Sequence, residues 1–72
     1  MYIEAKGRFI TSDRQKHLLI KEQHPELDIR FLFQNANNTI SKTSKTTYAL
    51  WAETKGFKWA NGETIPREWL DE

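Results

Sequence analysis

Glu4 and Lys6 stand two residues apart in Tyr2-Ile3-Glu4-Ala5-Lys6-Gly7, and that spacing is the clearest chemical signal in the chain. The run reads as a short strand over residues 2 to 6, ended by Gly7. Strand side chains alternate between faces, so Glu4 and Lys6 point the same way, roughly 7 Å apart, with Ile3 and Ala5 expected to face the core. A carboxylate beside an ammonium is half of a metal-dependent site for cleaving phosphodiesters. The carboxylate can hold a divalent cation, and the ammonium can orient an attacking water or neutralise charge building on the phosphate. The other half is expected upstream, and the sequence begins at Met1.

A second Glu-x-Lys-Gly, Glu53-Thr54-Lys55-Gly56, serves as an internal control. It closes a helical pattern, in which positions i and i+2 project about 200° apart around the axis. Those two side chains cannot converge on one metal and one phosphate. Ordinary helix-end charge is expected there, with Lys55 favourable near the C-terminal dipole.

The elements that must position the first pair follow from periodicity. After a loop from Arg8 to Ser12, a helix is expected from Asp13 to about His24, capped by Ser12 or Asp13 and stopped by Pro25. Leu18, Leu19 and Ile20 form its expected buried stripe. From Leu27 to Gln34 the period switches to two, with Leu27, Ile29, Phe31 and Phe33 on one face and Asp28, Arg30, Leu32 and Gln34 on the other. Residues 35 to 46, rich in Asn, Ser, Thr and Lys, read as a solvated loop. Thr46 or Thr47 can cap a second helix in which Tyr48, Trp51 and Ala52 share a face, and Gly56 suits the left-handed position that closes it. Phe57-Lys58-Trp59 is a short strand, Asn61-Gly62 a turn, and Pro66 opens a last helix from Arg67 to Leu70. The order β-α-β-α-β-α predicts an α/β fold: a mixed sheet, with some parallel pairing, flanked by helices.

Composition bounds what such a fold can be. The 72 residues suffice for one domain with a marginal core. No cysteine is present, so neither a disulfide nor a thiolate metal site is available. No apolar run approaches the roughly 20 residues of a membrane span, and no basic-then-apolar leader opens the chain, so neither export nor membrane insertion is expected. The net charge of +1 gives no global pull toward nucleic acid. The charge is uneven, however: Lys6, Arg8, Arg14, Lys16 and Lys21 crowd the first third, and Glu63, Glu68, Asp71 and Glu72 make the tail acidic. Arg8, Arg14, Lys16 and His17 lie near a helix N-terminus that itself favours phosphate, and stand either for DNA contact or for a solvated helix face. Lys42 and Lys45 stand either for reach to a backbone phosphate or for a flexible, soluble loop, and the loop is the reading favoured. His17 and His24 lack a partner at metal spacing, which favours surface or packing roles. Trp51, Trp59 and Trp69 stand either for stacking on unpaired bases or for structural packing, and packing is the reading favoured.

The run Asp13-Arg14-Gln15-Lys16-His17-Leu18-Leu19-Ile20-Lys21-Glu22-Gln23-His24-Pro25-Glu26-Leu27-Asp28-Ile29-Arg30 resembles the matching stretch of the bacteriophage endonuclease I family, the phage resolvases of four-way (Holliday) DNA junctions. The similarity continues through Gly56-Phe57-Lys58-Trp59-Ala60 and Ile65-Pro66-Arg67-Glu68-Trp69. In that family a Glu-x-Lys-Gly strand precedes this helix at the spacing found here. The resemblance implies a restriction-endonuclease-like α/β core, Mg²⁺ or Mn²⁺ chemistry, and intertwined homodimers acting on branched DNA. It makes Glu4 a catalytic metal ligand, the Ala5 carbonyl a second ligand and Lys6 the catalytic lysine. It also implies an aspartate from an earlier strand and a glutamate from an N-terminal helix, neither of which this sequence contains. Residues 1–72 therefore correspond to the C-terminal part of the nuclease core, as one domain. The expected function is that of a Mg²⁺-dependent junction-resolving endonuclease, in the cytoplasm of a phage host, completed by an N-terminal segment or partner. The alternatives are a non-catalytic module binding branched DNA or a nuclease subunit, and a small structural protein.

Overall fold

The apolar alternation after Leu27 becomes the middle of the molecule. In the computed structural model, which describes all of residues 1–72, the central strand β2 spans Ile29–Phe33. Strand β1 (Tyr2–Lys6) lies on one side of it and β3 (Lys58–Asn61) on the other, in the order β1-β2-β3. Both pairings are parallel, with Glu4 opposite Phe31 and Lys6 opposite Phe33, then Phe31 opposite Trp59 and Phe33 opposite Asn61. The sheet is thus wholly parallel and not mixed. Its two connections run through helices, α1 (Thr11–Gln23) and α2 (Tyr48–Thr54), which return the chain to start each strand in the same direction. A short α3 (Arg67–Leu70) follows β3.

Both crossover helices pack on one face. His17 of α1 and Trp51 of α2 each meet the Phe31 ring edge-on, at 4.9 Å and 6.4 Å between centroids. Between them sits Phe9, from the loop before α1, only 1% exposed. Its ring lies 4.9 Å from Phe31, 5.3 Å from Phe33, 5.6 Å from Tyr48 and 5.0 Å from Trp51. An aromatic cluster, not an aliphatic stripe, fills the core. Leu18 and Ile20 are half-buried and Leu19 is exposed, because three consecutive helical residues fan over about 200° and cannot all point inward. The inward position belongs to His17.

β2 is covered on its other face too, by charge. Arg30 is only 2% exposed, its guanidinium shared between Asp28, at 3.1 Å from Nε and 2.8 Å from Nη2, and both oxygens of Glu72. The Trp69 ring of α3 lies 5.3 Å from the guanidinium carbon. Hydrogen bonding to Arg30 holds the Asp28 and Glu72 carboxyls below their ordinary range and raises the guanidinium further above its own. A polar residue in the alternating run is thereby buried at no cost in unsatisfied donors.

Of the three helices only α2 has a side-chain cap at its start. The Thr47 hydroxyl caps α2 by accepting the Leu50 N–H at 3.1 Å, and Gly56, at φ +83°, turns the chain out of it. Helix α1, by contrast, begins at Thr11 with Ile10 at the cap position and no side-chain cap, so neither Ser12 nor Asp13 serves there. Asp13 lies in the first turn, where its charge suits the dipole, and its side chain is turned elsewhere.

Candidate active site

β1 is an outer strand, and that decides how its residues present themselves. Tyr2 N–H donates to the Asp28 carbonyl at 2.7 Å, and the Lys6 carbonyl accepts from Gln34 N–H at 3.0 Å. Residues 2, 4 and 6 therefore turn their backbone groups to β2. By the alternation of a strand, the carbonyls of Ile3 and Ala5 face the open edge of the sheet. Glu4 and Lys6 do share a face, but it is the helix-bearing one, in register with Phe31 and Phe33. The expectation that Ile3 and Ala5 face the core is corrected: Ile3 is half-buried and Ala5 exposed on the opposite face. Five residues of alternation fix which side chains go together, not which face the helices will cover.

Helix α1 supplies a partner for each member of the pair. Lys6 Nζ lies 3.4 Å from Asp13 Oδ1, and Glu4 Oε1 lies 3.9 Å from His17 Nε2. His17 Nδ1 is 2.8 Å from the Asp13 carbonyl, which can only accept, so that nitrogen carries a proton and Nε2 is the atom turned toward Glu4. The Glu4 side chain keeps 45% of its surface in solvent while Lys6 keeps 20%. At the C-terminal ends of the strands, where parallel sheets place their ligand sites, a crevice of about 250 Å³ is lined by Ala5, Lys6, Gly7, Gln34 and Glu63 among others. A Cβ at Gly7 would stand 3.0 Å from Gln34 Oε1, the end of an exposed side chain at the same rim.

The donor set suits a hard divalent cation in kind, being oxygen from the Glu4 carboxylate and the Ala5 carbonyl, and falls short of one in number. No three His, Asp or Glu side chains converge anywhere in the molecule. Asp13, the nearest other carboxylate, faces Lys6.

The residues expected at DNA separate into two groups. Arg8 and Lys16 are exposed. His17 is 2% exposed and directed at Glu4 and Phe31, which removes it from any DNA surface. The Arg14 guanidinium is turned inward, donating to the Phe9 carbonyl at 2.6 Å, to Thr11 Oγ1 at 3.0 Å and to the Ile40 carbonyl at 3.5 Å. The position of His17 beside Glu4 was visible only as an i, i+4 relation to Asp13, which says nothing about a strand thirteen residues earlier. The second Glu-x-Lys-Gly lies at the end of α2, where Glu53 accepts the Trp59 indole N–H at 3.1 Å and Lys55 is the cap residue.

The arrangement is that of a small α/β domain presenting a carboxylate–lysine pair on an outer strand of a parallel sheet. A family model for phage endonuclease I matches residues 1–72, and the chain belongs to that family. It is 46% identical over 72 residues to Endonuclease I of Escherichia phage T7, which takes in 100% of this chain and 48% of the relative. It is 48% identical over 61 residues to Endodeoxyribonuclease 1 of Enterobacteria phage T3, taking in 85% of this chain and 40% of that protein. The chain thus spans about half the length of the curated relatives it matches.

Proposed function

We propose that the chain carries the Glu4–Ala5–Lys6 half of a metal-dependent phosphodiesterase site and works as the C-terminal portion of an endonuclease that resolves four-way DNA junctions. The observation that carries the reading is the disposition on β1: a carboxylate and an ammonium on one face, with the intervening carbonyl turned to the open edge. Membership in a family whose relatives are named as endonucleases supports it. The Glu4 carboxylate and Ala5 carbonyl are too few to hold Mg²⁺ or Mn²⁺ alone, so further carboxylates come from another segment or from a second polypeptide, in a homodimer or a complementing pair. Once bound, the ion would acidify a water and polarise the phosphate. Lys6, paired with Asp13, would neutralise charge on the phosphate, and the buried His17 ring packs beneath Glu4. No helix is long and apolar enough to cross a membrane, and the setting proposed is the cytoplasm of an infected cell.

The test is complementation. Mixing the chain with a polypeptide that bears the missing carboxylates is expected to give Mg²⁺-dependent cutting of a four-way junction, abolished by Glu4→Ala or Lys6→Ala. Cutting that survives both substitutions overturns the assignment. The alternative reading is a module of the same family that binds junctions without cutting. That reading expects salt-sensitive binding and no cleavage with any complement.

A further inference from the structure

Beside the candidate site lies a second depression that the cutting reaction does not use. It is a cavity of about 390 Å³ between the Arg8–Ile10 segment and the loop around Asn38 to Lys42. Arg8, Asn38, Ser41, Lys42 and Tyr48 contribute its polar walls, and no carboxylate side chain lines it. Arg8 and Lys42 are exposed, and neither takes part in an ion pair.

Tyr48 gives the cavity its direction. The residue is only 7% exposed and its hydroxyl accepts the Phe9 N–H at 3.2 Å. A phenol also has one proton to donate, and that proton meets no acceptor within the protein. The hydroxyl thus keeps a proton for an acceptor from outside the protein, and the two cationic side chains among the lining residues favour a negatively charged one.

The walls are fixed in advance. Arg14 ties the two sides together through the Phe9 and Ile40 carbonyls. The loop is closed on itself by Ile40 N–H to the Thr46 carbonyl at 2.9 Å and by Tyr48 N–H to the Asn38 carbonyl at 2.8 Å. Arg14 is therefore a positioning residue for the two walls.

We propose that this cavity binds a backbone phosphate of DNA, through Arg8, Lys42 and the Tyr48 hydroxyl, next to the phosphate held at Glu4 and Lys6. The proposal rests on the DNA-cleaving reading and extends it with a second contact point. Arg8 lies four positions after Glu4, which puts their Cα atoms at most about 14 Å apart.

Two probes separate this proposal from the reading beneath it. The first is a labelled four-way junction, followed by fluorescence anisotropy across salt with the full chain. Lys42→Ala is expected to weaken binding and to lower the salt slope by about one, so that raising salt fourfold costs roughly 3.5-fold less affinity than in the parent. Tyr48→Phe, which removes the donor and keeps the ring, is expected to weaken binding several-fold with the slope unchanged. Lys55→Ala, at the far end of α2, is expected to leave affinity as it was. The second probe is inorganic phosphate, titrated while backbone amide shifts are followed by NMR. Saturable shifts are expected at Thr39, Ser41 and Lys42, and their loss in Lys42→Ala. Junction binding that is indifferent to Lys42→Ala and Tyr48→Phe overturns the cavity proposal and leaves the nuclease reading standing. Phosphate shifts at the loop without junction binding support the cavity and overturn the DNA reading. Absence of both overturns both. Lys42 is a surface side chain, so its result stands even if Tyr48→Phe unfolds the chain.

Discussion

Replacing Phe9 by Ala tests the packing logic of the whole molecule. The ring is 1% exposed and touches four other aromatic rings at centroid distances of 4.9 to 5.6 Å. A buried Phe→Ala change costs about 3–5 kcal/mol, and the tight surround of rings leaves little to collapse into the void, which argues for the upper part of that range. A 72-residue domain has a total stability of only about 4–11 kcal/mol. One side chain in a loop therefore holds a large share of the folding free energy. With a urea slope of about 1 kcal/mol per molar, the midpoint should fall by about 3–5 M, or the variant should be unfolded without denaturant. Phe9→Leu, which keeps more of the volume and loses the ring contacts, should cost less than Phe9→Ala and supplies an intermediate comparison. The assay is urea unfolding followed by tryptophan fluorescence, since Trp51 lies against the ring. A shift below about 1 M for Phe9→Ala would show that the aromatic cluster closes without it, and would refute the argument.

Two further outcomes follow from the ends of the elements. Thr47→Ala should cost about 1 kcal/mol in the same urea assay, since it removes the acceptor for Leu50 N–H, whereas Thr46→Ala should cost less. Asp28 and Glu72 titrate below their unfolded-chain values because of Arg30. Their contribution to stability is thus fully present above the unfolded carboxylate range and is lost as pH falls through their folded values. Thermal midpoints should decline on acidification below about pH 4, and Glu72→Gln should flatten that decline. An equally steep decline in Glu72→Gln would remove the clasp as its cause.

The elements were legible where the sequence carries a long period or a cap. Ile29–Phe33, Thr47 with Gly56, and the rejection of the Glu53 pair all follow from alternation or helical angle. What escaped lies between elements or across faces. Phe9 sits in a loop with no periodicity, and nothing local says that one apolar loop residue fills the centre. Arg30 occupies a polar slot in an alternating strand, and its burial depends on Asp28 and on Glu72, which lies 42 residues away. The wholly parallel sheet depends on where the helices return the chain, a property of the connections and not of the strands. At the candidate site, Glu4 and Lys6 were legible as a pair, and their partners were not: Asp13 reads as a cap and His17 as a surface or packing residue until α1 is laid across β1.

The sheet order also has a bearing on how the molecule holds together as one cooperative unit. Every interstrand ladder includes β2, and β1 and β3 never bond to each other. The chain is two β-α-β units that overlap in five residues, Ile29–Phe33. Neither unit can open by itself without stripping one side of the strand that the other requires. Residues 29–33 thus act as the hinge pin of folding: the slowest amides to exchange belong there, and fraying begins at the two outer strands, one of which carries Glu4 and Lys6.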